Sequence, residues 1–150
     1  MGTSDGILLD SNILIYAYNQ SSPFHKKAFS FLRDVLEKKV KGVITPQNLL
    51  EFYSISTDPK RVEKAISPEA CREVVKDLRQ NLSLIYPNID SLNRLLLLID
   101  KHKLKGARIF DAYLVATCVS NGITNILTVN KEDFINFSEI KVIDLSTLLY

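Results

Sequence analysis

With 150 residues, 46% hydrophobic and 24% charged, the chain is long enough to close a sizeable core and too apolar for intrinsic disorder. Its net charge of +2 excludes the strongly one-signed balance that would by itself name a partner. Two cysteines, Cys71 and Cys118, stand far apart with no CxxC pairing, which argues against a disulfide framework or structural zinc site and suggests small core residues in a reducing cytosol. The opening "MGTSDG" lacks the charged and apolar regions of a signal peptide, and the longest apolar run, "LLLLI" at 95–99, is far too short to span a bilayer. A cytoplasmic protein with no membrane contact is therefore expected.

In chain order, "ILLD" (7–10) reads as a short strand of the kind buried inside parallel sheets. "SNILIYAYN" follows as a helix with Ser11 or Asn12 near its start. Residues 24–40 carry Phe24, Ala28, Phe31, Leu32, Val35 and Leu36 at helical spacing beneath a basic outer face. "GVIT" (42–45) is a second strand, and Pro46 suits the first turn of the helix "PQNLLEFYSIS". "TDPKR" (57–61) is a turn, since the residue before proline avoids the α region. "SPEACREVVKDLRQNL" (67–82) is an amphipathic helix, "SLIYP" (83–87) a third strand and "DSLNRLLLLIDKH" (90–102) a further helix. "ARIFDAYLVATCVSNG" (107–122) is a helix ended by Asn121-Gly122, followed by strands at 125–130 and 141–145. Strands and helices alternate without repeat or linker. The pattern predicts one α/β domain over 1–150, a three-layer α/β/α sandwich around a parallel sheet of about five strands.

Ligands of such sheets bind beyond the carboxyl ends of the strands, where Asp10 and Asn130 are expected. Asp10 breaks an apolar run. A lone carboxylate there either caps a helix or faces a cleft that takes a cation. Glu51 interrupts "NLLEFY", and Asp111 lies on one helical stripe with Leu114, Val115 and Cys118. Asp111 is also one turn from Arg108, a possible ion-pair partner. Asn130 and Asp133 follow the fourth strand. Two carboxylates about 4 Å apart repel by roughly 4 kcal/mol at an effective dielectric near 20. Acids gathered from four segments therefore serve no stability purpose, but they suit a hard divalent ion such as Mg²⁺ or Mn²⁺. His25 and His102 stand in lysine-rich contexts and are expected at the surface. Phe52, Tyr53 and Ile55 are expected in the core rather than in a partner groove.

The segments "LLDSNILIYAY", "NLLEFYSISTDPKR", "RIFDAYLVAT" and "LTVNKEDF" together resemble those of the PIN-domain ribonucleases, and within them the VapC-type toxins of toxin–antitoxin modules. The resemblance covers nearly the whole chain. It implies a PIN-like fold and a Mg²⁺- or Mn²⁺-dependent endoribonuclease with an RNA substrate, a cognate antitoxin and a homodimeric assembly. It assigns the metal to Asp10, Glu51 and Asp111, with Asn130 and Asp133 completing the catalytic set and Ser11, Asn12 and Thr128 as supporting polar groups. Asn130 stands where many relatives carry aspartate, and Asp133 offers the missing charge. Lys101, Lys103, Lys105 and Arg108 in "KHKLKGAR" are candidates for RNA phosphates, Arg108 foremost because it is one turn from Asp111. The alternative is a catalytically weak PIN-like module that binds RNA or protein. A nucleotide-binding module has no support, since neither GxGxxG nor GxxxxGK[ST] occurs.

Overall fold

The computed structural model describes residues 5–150, so the first four residues of the stretch read for a signal peptide lie outside the described residues. Five short strands, β1 (Ile7–Leu9), β2 (Gly42–Ile44), β3 (Ser83–Leu84), β4 (Asn125–Thr128) and β5 (Lys141–Asp144), form one parallel sheet in the order β3-β2-β1-β4-β5. Six helices connect or flank them: α1 (Ser11–Ala17), α2 (His25–Leu36), α3 (Pro46–Ser56), α4 (Pro68–Asn81), α5 (Ile89–His102) and α6 (Arg108–Ser120).

Strand residues point alternately to the two faces, and both faces are covered. Leu9, Ile44 and Leu127 pack with α1–α4 around Phe31, Phe52 and Leu78. Leu8, Val43 and Ile126 pack with α5 and α6 around Val115, Cys118, Phe134 and Phe137. This is the expected three-layer arrangement, and each cysteine is a buried free thiol in one of its two cores. No helix among the described residues is long and apolar enough to cross a membrane.

Several boundaries fall short of the sequence reading. The second helix stops at Leu36 rather than 40, because Lys38 takes φ 62° and turns the chain into β2. The third strand stops at Leu84 rather than 87: Pro87 has no N–H for a ladder, and Asn88 starts α5 with a reciprocal cap to Ser91. The fourth strand stops at Thr128, and a 3-10 turn over Lys131–Asp133 follows. The predicted Asn121-Gly122 stop is present, with Gly122 at φ 76° where a side chain would be strained.

The histidines are not the surface groups expected. His25 Nδ1 lies 2.9 Å from the Tyr16 carbonyl oxygen, with its ring beside Phe29. His102 packs edge-on to Phe137, and its Nε2 is buried without a hydrogen-bond partner among the described residues. The flat apolar faces of imidazole explain both placements, which the neighbouring lysines concealed. Phe52 is fully buried as expected, whereas Tyr53 is exposed.

Candidate active site

The chain builds β1, β2 and β3 outward on one side of β1, then returns to place β4 and β5 on the other. The strand order therefore reverses between β1 and β4, and the crevice beyond their carboxyl ends is where such sheets receive ligands. Asp10 and Thr128 stand at those two ends.

Asp10 caps α1 and also closes the switch point. Its Oδ1 accepts from the Ser11 N–H at 2.8 Å, and its Oδ2 accepts from Thr128 Oγ1 at 2.8 Å and Asn12 Nδ2 at 3.1 Å. Thr128 Oγ1 in turn accepts from the Asn130 N–H at 3.0 Å. Both expected roles, cap and cleft acid, thus fall on one carboxylate. Burial pushes Asp10 up to about 6; its bonds from Thr128 and Ser11 oppose the rise, while the charges of Glu51 and Asp111 add to it.

A second buried network holds the opposite wall. Thr45 opens α3, and Asn48 Oδ1 accepts from the Thr45 N–H at 2.8 Å and from its Oγ1 at 2.9 Å. Asn48 Nδ2 then donates to Ser11 Oγ at 3.0 Å, tying the start of α3 to the start of α1. One turn along α3, Gln47 Nε2 donates to Glu51 Oε1 at 2.7 Å. The sequence reading missed Asn48. Its only trace is the T-P-Q-N spacing of a capping box with Asn in the usual Glu position.

The third wall is α6. Its inner stripe of Leu114, Val115 and Cys118 is buried as predicted, and Asp111 leads that stripe, half-buried at the cleft. Burial pushes Asp111 up to about 6, with the charge of Asp133 adding to the rise, Arg108 opposing it and Glu51 raising it further. Arg108 Nε lies 3.8 Å from Asp111 Oδ2, and its Nη2 donates to the Asp133 carbonyl at 3.4 Å, so it links α6 to the turn after β4.

A cleft of about 690 Å³ lies between these walls, with Asp10 and Ser11 on its floor and Glu51 and Asp111 on its sides. That lies within the range of about 300–1,000 Å³ typical of ligand sites. Among the other lining residues, Arg61 from the loop after α3 and Phe110 were not singled out by the sequence reading. Asn130 is exposed beside the site, and Asp133 makes itself felt there through its effect on Asp111. Lys101 lies elsewhere, in an apolar groove with Arg94 and Leu97, where its Nζ is 3.6 Å from Glu139. Lys103 and Lys105 are exposed.

Chemically, the cleft holds oxygen donors and surplus negative charge. An oxygen-only carboxylate set suits a hard divalent cation. Among the described residues, no three His, Cys, Asp or Glu side chains are gathered at ligand spacing. The surplus charge has a measurable cost. Asp111 is near 3.8 when unfolded and about 6 when folded. Below pH ~4 it is protonated in both states; between ~4 and ~6 the unfolded chain loses the proton first, so stability falls as pH rises; above ~6 the penalty is complete. In EDTA at pH 7.5, Asp111→Asn is expected to melt about 3 °C above wild type, which corresponds to about 1 kcal/mol once solvent screening is allowed for. The gap should close by pH 4 in the same thermal scans. A gap that does not change with pH would mean that Asp111 carries no ionisation penalty.

Comparison with known proteins gives a consistent picture. The sequence model of the PIN domain matches residues 7–140. Ribonuclease VapC24 of Mycobacterium tuberculosis is 27% identical over 137 residues, covering 91% of this chain and 94% of its own. Among solved structures, VapBC2 from Rickettsia felis, bound to a promoter DNA fragment, superposes with a TM-score of 0.67 at 17% identity, covering 93% of this chain and 98% of the other. VapC20 of Mycobacterium tuberculosis, described as a sarcin–ricin-loop-cleaving toxin, gives 0.63 at 14% identity, with 89% and 98% covered.

Proposed function

The chain belongs to the PIN domain family, and from that premise we propose that it is a metal-dependent endoribonuclease that cleaves RNA phosphodiester bonds as the toxin of a toxin–antitoxin pair. The observation that carries this reading is the meeting of Asp10, Glu51 and Asp111, from three separate segments, in one cleft at the switch point of the sheet. The names of VapC24 and of the VapBC complex support the ribonuclease activity and the antitoxin partner.

Asp10, Glu51 and Asp111 would hold Mg²⁺ or Mn²⁺, with Asp133 or the neutral oxygen of Asn130 completing the set. Bound there, the ion supplies a water of lowered pKa and neutralises charge on the scissile phosphate. The chain's own residues arrange this. The Ser11 N–H, Asn12 and Thr128 fix the plane of the Asp10 carboxylate. Asn48 sets the start of α3 and so aims Glu51. Arg108 keeps Asp111 and the Asp133 turn together while offering its remaining N–H groups to phosphate. Lys103 and Lys105, and more remotely Lys101, extend a salt-sensitive path for the RNA backbone. Residues 1–150 act as one domain in this reading, in a cytoplasmic homodimer that an antitoxin holds inactive.

The test uses protein freed of copurifying antitoxin and incubated with total RNA. Cleavage is expected with Mg²⁺ or Mn²⁺ and none with EDTA. At a metal concentration ~100 times the Kd, binding to the folded state alone contributes about 2.7 kcal/mol. Melting should then rise by about 5–10 °C in wild type and by less in Asp111→Asn. Equal shifts in the two proteins would remove Asp111 from the metal set. RNA binding without cleavage by metal-loaded wild type would favour a catalytically weak binding module, with exposed Asn130 as the first residue to change to Asp.

A further inference from the structure

Most groups in the cleft bear on the acids, but Arg61 and Phe110 do not. Arg61 is exposed, and its guanidinium has no ion pair or hydrogen bond among the described residues. Arg72, Arg94 and Arg108 each stand within 4.0 Å of a carboxylate, yet Arg61 pairs with none although three acids share its cleft. A cation that lines an acidic cleft without neutralising it is free to meet an incoming anion. A guanidinium suits phosphate because its planar fork of donors matches two phosphate oxygens.

Phe110 is the second anomaly. It is 60% exposed and lines the cleft next to Asp111 in the chain, while its neighbour Ile109 turns toward the α5–α6 core. A phenyl ring left in water forfeits the burial that would stabilise the fold. Its position on the cleft wall, one turn after the small Ala107, leaves a flat apolar surface beside the reacting groups. Aromatic rings so placed stack single-strand bases without regard to sequence, because every base has a π face.

We propose that Arg61 and Phe110 form a nucleotide subsite at the rim of the cleft, in which Phe110 stacks an unpaired base of the substrate and Arg61 takes an adjoining phosphate. The proposal rests on the nuclease reading above and assigns two further residues of the cleft to substrate contact. A base inside a duplex is already stacked on both sides and cannot lie on Phe110, so the site takes single-stranded or looped RNA. The acidic floor repels the phosphate backbone, and Arg61 offsets that repulsion at the entrance.

The chain contains no tryptophan, so Phe110→Trp introduces a sole indole reporter at the subsite. It is placed in the Asp10→Asn background with Mg²⁺, to keep RNA intact, and titrated with a mixed-sequence 12-nucleotide RNA as single strand, as duplex, and as an abasic sugar-phosphate chain. The single strand is expected to quench the indole, and the duplex and abasic chain are not. Phe110→Ala should weaken single-strand binding about 10- to 100-fold. Arg61→Ala should reduce the slope of log affinity against log salt by about 0.7, and Arg61→Lys should restore it. Both side chains are exposed, so the fold should survive, and melting curves check this. Absence of quenching by single strand, or Phe110→Ala and Arg61→Ala binding RNA like their parent, overturns the subsite. So does release of a copurifying protein by these variants with RNA binding unchanged, since the rim would then be a protein surface. Cleavage of total RNA by wild type without indole quenching overturns the subsite alone. Quenching without any cleavage by wild type retains the subsite and removes the nuclease reading.

Discussion

Asp10→Asn is expected to lower RNA cleavage by at least about 1,000-fold while leaving the fold and RNA binding in place. The carboxylate is the point at which the floor of the cleft and the sheet meet, accepting from Ser11, Asn12 and Thr128 at 2.8–3.1 Å. Asparagine is nearly isosteric, and its oxygen keeps the bond from the Ser11 N–H, so α1 retains its cap. What it removes is one negative charge and one oxygen donor from a set proposed to hold a divalent ion. Loss of a single preorganised group aimed at developing charge costs about 100- to 1,000-fold in other enzymes, and loss of a metal ligand removes the ion's contribution as well. Single-turnover cleavage of a labelled RNA, with melting curves and filter binding on the same preparations, checks the prediction. Cleavage within tenfold of wild type would remove Asp10 from the reaction, and loss of fold along with activity would reduce its role to capping.

Asn48→Ala should produce the largest loss of stability among the cleft residues, about 2–4 kcal/mol, or roughly 5–15 °C in melting temperature. The Asn48 side chain satisfies the Thr45 N–H, the Thr45 hydroxyl and the Ser11 hydroxyl, and all three residues are buried. Alanine leaves those groups without partners where water has little access, and the desolvation cost of each remains. The effect should reach function because α3 carries Glu51. With the tie to Ser11 gone, metal affinity should fall along with stability, although Asn48 itself holds no metal. Calorimetry and metal titration by melting shift measure the two effects separately. Unchanged metal affinity in a destabilised variant would confine Asn48 to the fold.

The parts of this site that were legible in the sequence share one physical property. Asp10, Glu51 and Asp111 are charges set in apolar runs, and such a charge needs an explanation whatever the fold. The strands were legible because "ILL", "GVI" and "NILT" are short, β-compatible and bounded by turn residues. Asn48 carried no such mark. An amide in the first turn of a helix reads as an ordinary cap, and nothing local reveals a partner 37 positions earlier. Arg61 was hidden within a turn whose Asp-Pro explained it sufficiently. Phe110 was hidden because Ile109 and Phe110 are adjacent apolar residues, and helical spacing alone does not decide which one turns inward. His102 was misread for the opposite reason: the lysines around it are in solvent, while its own ring lies against Phe137. Local pattern thus reveals a group out of keeping with its neighbours, and it fails where the deciding partner comes from another element.

The bond between Thr128 and Asp10 joins positions 118 residues apart. Glu51 and Asp111 are both made before β4, the strand that completes the switch point. Domains form as their chain emerges, at ~5–20 residues per second. Between Asp111 and β4 the growing polypeptide therefore carries all three acids without the strand that clasps the first of them. Until β4 has emerged the proposed nuclease site is unfinished, and the ribosome, itself largely RNA, meets only that unfinished form.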